Sequence, residues 1–187
     1  MKLFDRRGAL TLPREDYAIL LREAEGKKSV LEFGPGFSTY AFIEAGVPRI
    51  LGCEYLDKWF AFAKERFKDH PQVEVVRFYD EPEARADIGD ERFDLALVDS
   101  PKGYAGARTI HPGQEDCSRL NTCLLALQHA PIVLLHDAAR PLERGTLGRL
   151  NQLGHKVKFY PDGSKSGMAR IDRHGKDASA VNRANPS

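Results

Sequence analysis

Five acidic residues of this 187-residue chain stand where short apolar runs end: Glu32, Glu54, Asp80, Asp99 and Asp137. Glu32 is followed by Gly34-Pro35-Gly36-Phe37-Ser38-Thr39. Glycines at 34 and 36 permit a tight turn and a close approach of backbone to a ligand. A pyrophosphate fingerprint wants a third glycine at position 39, where Thr39 stands, and a carboxylate at Glu32 repels a pyrophosphate but attracts an ammonium group. Glu54, 22 positions after Glu32, is placed to take both hydroxyls of a ribose. Asp80 is placed to meet an adenine amino group. Further on, Asp99-Ser100-Pro101-Lys102-Gly103-Tyr104 and His136-Asp137-Ala138-Ala139-Arg140 set acids, a lysine and a histidine at the next two run ends. Such a group can orient a hydroxyl, take its proton, or hold a cation that lowers its pKa.

The elements that must position these residues follow from periodicity. Apolar runs at 29–33, 49–55, 73–79, 93–98 and 131–135 read as strands, several of them covered on both faces, with weaker strands at 155–160 and 168–172. Helical spacing fills 13–24, 38–45, 58–67, 114–130 and 142–153, with Asp57 as the N-cap of the third stretch. Strand and helix alternate, so the fold class is α/β: a mostly parallel sheet of about seven strands with helices on both faces. Ligands of such a sheet bind beyond the carboxyl ends of the strands, where all five acids fall. Phe37, Trp59, Phe60 and Phe62 sit at helical spacing and read mainly as core, with one of them able to stack on adenine. Residues 80–92 form an acidic connection, 100–113 a loop rich in glycine and proline, and 174–187 a polar, flexible tail.

Composition narrows the class. Twenty-eight basic against 27 acidic residues give a net charge of +1, which argues against a strongly basic nucleic-acid binder and against attraction to an anionic membrane. There is no Asn/Asp-Pro-Pro-Tyr motif, no internal repeat, and no apolar run near the ~20 residues that a membrane span needs. No apolar signal-peptide core follows the charged start, so the expected location is cytoplasmic. Cys53, Cys117 and Cys123 are odd in number and lack CxxC spacing, as small reduced residues do.

Three stretches together, Val30-Leu31-Glu32-Phe33-Gly34-Pro35-Gly36, then Glu54, then Phe93-Asp94-Leu95-Ala96-Leu97-Val98-Asp99, resemble a class I S-adenosylmethionine-dependent methyltransferase over roughly residues 29 to 173. The resemblance implies a Rossmann-like single domain over 1–173, with 1–28 as an N-terminal helical segment on the cofactor side and 29–173 as core. It implies S-adenosylmethionine as cofactor, held by Glu32, Gly34, Pro35, Gly36, Ser38, Glu54, Tyr55, Asp80 and Asp99. Asp99 and Lys102 with Asp137 also resemble the catechol-type O-methyltransferases, whose acids bind a divalent metal. Ala138 stands where that family has asparagine. Asp99-Ser100-Pro101-Lys102-Gly103-Tyr104 with His136-Asp137 and Arg140 is similar to the plant polysaccharide (glucuronoxylan-type) O-methyltransferases. These likenesses imply methyl transfer to oxygen of a small-molecule or sugar-like acceptor, with Asp99 near the methyl donor, Lys102 or His136 as base, and Asp137 orienting His136 or, with Asp99, binding metal. The rivals are a nicotinamide-dependent oxidoreductase and a non-catalytic cofactor-binding protein. No nucleic acid or membrane partner is expected, and a homodimer is left open.

Overall fold

The computed structural model describes residues 12–77, 88–100 and 119–174. Seven strands, β1 (Ser29–Phe33), β2 (Arg49–Glu54), β3 (Val73–Arg77), β4 (Leu95–Val98), β5 (Ile132–His136), β6 (Lys156–Phe159) and β7 (Met168–Asp172), form one sheet in the order β3-β2-β1-β4-β5-β7-β6. The ladders from β3 to β5 are parallel, and β7 runs antiparallel between β5 and β6. Five helices flank it: α1 (Arg14–Ala24), α2 (Phe37–Glu44), α3 (Asp57–Arg66), α4 (Leu120–His129) and α5 (Pro141–Gln152).

The near-continuous apolar runs are strands because both sheet faces are covered. Leu31, Phe33, Ala96, Val98, Val133 and Leu135 point to one face and pack with Cys123, Ala126 and Leu127 of α4 and Leu147 and Leu150 of α5. Val30, Ile50, Leu95, Leu97 and Leu134 alternate to the other face and meet Ile19, Leu20 and Ala24 of α1 and Ala41 and Phe42 of α2. The edge strands β3 (VEVVR) and β6 (KVKF) each carry two charged residues, which discourage pairing with another chain.

Several boundaries differ from the sequence expectation. Phe93 and Asp94 precede the fourth strand: their amides donate to His129 O and Ser29 O, and the Asp94 carboxylate takes the Lys28 N–H. Asp57 is not an N-cap. It is the first residue of α3, its carboxylate pairs with Arg77, and Leu56 occupies the cap. The described part of the fourth helix begins at Leu120, and 114–118 lie outside the described residues.

The strand order reverses at β1, whose neighbours are β2 on one side and β4 on the other, and this opens a crevice above their carboxyl ends. Two glycines fix its floor. Gly34 has φ +92°, and a Cβ there would stand 2.9 Å from Ser100 Cβ. Gly52, inside β2, leaves room for the Pro35 ring, which a Cβ would meet at 2.8 Å. Gly34→Ala is therefore expected to cost about 1–3 kcal/mol of stability through left-handed strain and crowding. Urea unfolding measures this; an unchanged midpoint would contradict the turn geometry.

Candidate active site

A cavity of about 430 Å³ lies over this crevice, within the range of small-molecule sites. The turn supplies Gly34, Pro35, Gly36 and Ser38; the end of β2 supplies Glu54 and Tyr55; the ends of β4 and β5 supply Asp99, Ser100, His136, Asp137 and Arg140; and α3 supplies Trp59, Phe62 and Arg66. A Cβ at Gly36 would meet only Gly34 O, at 3.9 Å, so the backbone there is open to a ligand.

Glu32 is fully buried and is not among the residues that line this cavity. Its carboxyl accepts the Ser38 hydroxyl at one oxygen and Thr39 Oγ1 at the other, 2.7 Å away, while Thr39 Oγ1 accepts the Gly36 N–H at 3.0 Å. Burial pushes the Glu32 carboxyl up to about 8, against the lowering effect of the two hydroxyls. Glu32 thereby ties the strand end to the first turn of α2. Thr39, where a third glycine was missing, completes that tie.

Glu54 is held at the rim of the cavity. Its Oε1 accepts the N–H groups of Tyr55 and Leu56 at 2.8 and 2.9 Å. Burial raises its pKa, and those two bonds and Arg77 work the other way.

His136 is gripped at both ring nitrogens. Nδ1 lies 2.9 Å from Asp99 Oδ1, and Nε2 lies 3.1 Å from Asp16 Oδ2. Asp16 belongs to α1, is fully buried, and also accepts the Ser164 N–H at 2.9 Å and its hydroxyl at 2.5 Å. Two carboxylate acceptors call for two N–H donors, so the ring is an imidazolium. Burial alone would lower its pKa, but the charge of Asp99 and the bonds to Asp16 and Asp99 raise it to about 10. For Asp99, burial is outweighed by His136, Arg119 and Arg140, which hold it below the usual carboxylate range.

Arg119, 1% exposed at its side chain, joins the two strand ends from beneath. Its guanidinium donates to the carbonyls of His136 at 2.8 Å and Asp99 at 3.1 Å. It also lies 3.7 Å from the Asp99 carboxylate, 3.6 Å from that of Asp137 and 3.8 Å from that of buried Glu143. Asp137 takes a left-handed φ of 60°, which aspartate tolerates better than most residues, and pairs with Arg140 at 2.8 Å.

Asp99, His136 and Asp137 can each offer one ligand atom within 4.8 Å of the others. The donor set nevertheless does not fit a divalent ion. Both nitrogens of His136 are bound to carboxylates, Asp137 is paired with Arg140 and Arg119, and Ala138, in the asparagine position, is fully buried. Three cations already stand where a metal would bring charge.

Solved structures share this architecture at low identity. An O-methyltransferase from Bacillus cereus in complex with SAH is 16% identical with a TM-score of 0.61, over 89% of this chain and 84% of that one. A precorrin-6y C5,15-methyltransferase from Geobacter metallireducens is 16% identical with a TM-score of 0.60, over 87% and 89%. The 23S rRNA methyltransferase ErmE is 18% identical with a TM-score of 0.54, over 87% and 69%. This is the class I methyltransferase fold. No family model and no curated protein matches the sequence. The methyltransferases with this architecture differ in acceptor, and one is named for an rRNA, so the fold itself does not exclude nucleic acid. That expectation rests on the near-neutral charge and the missing Asn/Asp-Pro-Pro-Tyr motif of the sequence. Among the described residues no helix is long and apolar enough to cross a membrane.

Within this methyltransferase fold, Gly34, Pro35, Gly36, Ser38, Glu54, Tyr55, Asp99, His136 and Asp137 converge on one cavity. Lys102 and Asp80 lie outside the described residues. Trp59 and Phe62 line the cavity instead of packing in the core; of α3 only Ala63 is fully buried. Sequence reasoning missed Asp16 and Arg119. Each sits in a helical stretch, where a charged residue reads as solvated, and the one available signal was the surplus of strand-end acids in need of cations.

The pKa of His136 is raised above its unfolded value of 6.5, so its contribution to stability is full below pH 6.5 and is lost as pH rises towards 10. The stability gap between the wild type and His136→Asn is expected to narrow over that window in denaturant titrations. A gap that widens with pH would contradict a buried imidazolium.

Proposed function

We propose that this chain is an S-adenosylmethionine-dependent methyltransferase that acts on a hydroxyl oxygen of a small-molecule or sugar-like acceptor. The observation that carries this reading is the cavity at the strand-order reversal, with the anchored carboxylate of Glu54 at one side and Asp99 at the other. When bound, the cofactor supplies an electrophilic methyl group on a sulfonium.

The residues then divide the work. The Gly34-Pro35-Gly36 backbone admits the amino-acid end, Glu54 accepts from the ribose hydroxyls, and Tyr55 and Leu56 flank the nucleoside. Asp80 keeps the adenine role that the resemblance gives it. Every hydrogen bond and ion pair of the Asp99 carboxylate among the described residues uses Oδ1, so Oδ2 is assigned to the acceptor hydroxyl. His136 already carries a proton on each nitrogen and does not serve as the base; it positions Asp99. A weakly basic carboxylate suffices, because an alcohol oxygen becomes strongly acidic as its bond to the methyl carbon forms, and its proton leaves late. Enclosure and fixed orientation of the two reactants supply the larger share of the acceleration.

Calorimetry with S-adenosylhomocysteine is expected to give binding that Glu54→Ala weakens about tenfold or more. Asp99→Asn is expected to lower kcat by about 10²–10³ with that binding retained, and a chelator to leave the rate unchanged. Absence of S-adenosylhomocysteine binding, or binding of NAD in its place, would overturn the reading. Loss of turnover in Lys102→Met but not in Asp99→Asn would move the base to Lys102.

A further inference from the structure

Arg66 ends α3 on the face that carries Trp59 and Phe62, and all three line the cavity. Its guanidinium carbon lies 4.5 Å from the Phe37 ring centre, 5.1 Å from that of Tyr40 and 5.4 Å from that of Phe62. Two rings come from α2 and one from α3, so the cation is held by both helices. Aromatic rings attract a guanidinium through their quadrupoles but neither neutralise it nor accept its N–H groups as a carboxylate does.

Of the three arginines that line the cavity, Arg119 and Arg140 each have a carboxylate partner. Arg66 has none within 4 Å among the described residues, and its Nε is buried without a hydrogen-bond partner. A charged N–H left so costs free energy unless a ligand supplies the acceptor. At the strand ends the acids Asp99 and Asp137 are already paired with His136, Arg119 and Arg140, whereas Arg66 brings to the cavity a cation with no carboxylate partner among the described residues.

We propose that Arg66, set among Phe37, Tyr40 and Phe62, is an anion-binding site that takes a carboxylate or phosphate group presented in the cleft. The planar N–H edge suits two parallel hydrogen bonds to such a group. The group comes either from the amino-acid end of the nucleoside ligand, in which case the inference rests on the function proposed above, or from the acceptor.

The test uses the full chain with Arg66→Met and Arg66→Lys, urea unfolding checking that each folds. Inorganic phosphate is titrated against the cofactor-free protein at matched ionic strength and read by calorimetry. Arg66→Met is expected to weaken phosphate binding about tenfold or more, and Arg66→Lys to restore it only in part. This arm holds even where S-adenosylhomocysteine fails to bind the wild type, so it separates the two readings. A cofactor source shows as weakened S-adenosylhomocysteine binding in Arg66→Met with unchanged binding of 5′-methylthioadenosine, which lacks the amino-acid end. An acceptor source shows as unchanged binding of both nucleosides with phosphate binding lost from the nucleoside-loaded variant. Phosphate and S-adenosylhomocysteine binding that are both unchanged in Arg66→Met would overturn the proposal.

Discussion

An imidazolium held between two carboxylates organises this cleft. Asp16 reaches His136 from α1, Asp99 reaches it from the end of β4, and His136 itself ends β5. Ser164, in the β6–β7 connection, binds the same Asp16 carboxylate. One ring thus fixes a helix, two strand ends and a hairpin loop relative to one another. Burying these charges is tolerable only as a set. Removing one partner leaves an uncompensated charge in low dielectric, which costs several kcal/mol as a rule. Arg119 extends the set below, where it meets Asp99, Asp137 and Glu143.

Fixed cations hold the Asp99 carboxylate ionised at the cavity wall. In the reaction proposed above, weak basicity suits a proton that becomes labile only after bond formation has begun. The α2–α3 side of the cavity differs in kind, with aromatic rings around an arginine that has no carboxylate partner among the described residues.

Much of the fold was legible because local pattern and global packing agree. Strands covered on both faces, as β1, β4 and β5 are, must be apolar throughout, and the chain reads that way. Glu54 was legible because a strand end faces the crevice whatever surrounds it. Asp16 and Arg119 were not, since their partners lie far off in the chain: Asp16 and His136 are 120 positions apart. The second acid on His136 was hidden for the same reason: the sequence shows the neighbouring strand-end acids but not Asp16. Trp59 and Phe62 show a related limit. Helical spacing groups residues on a face without saying whether core or cavity lies opposite. The cap rule failed at Asp57 because the helix begins one residue earlier than it assumes, with the Phe60 N–H bonded to Leu56 O, and Arg77 takes the Asp57 carboxylate.

The central claim is that His136 is a fixed cation and not a titrating base. Nitrogen-15 NMR of the imidazole across pH 6 to 10 tests it most directly. The account predicts two protonated ring nitrogens throughout the neutral range, with deprotonation only near pH 10 and at markedly lower pH in Asp16→Asn. A neutral ring with a single N–H at pH 7.5 would contradict it.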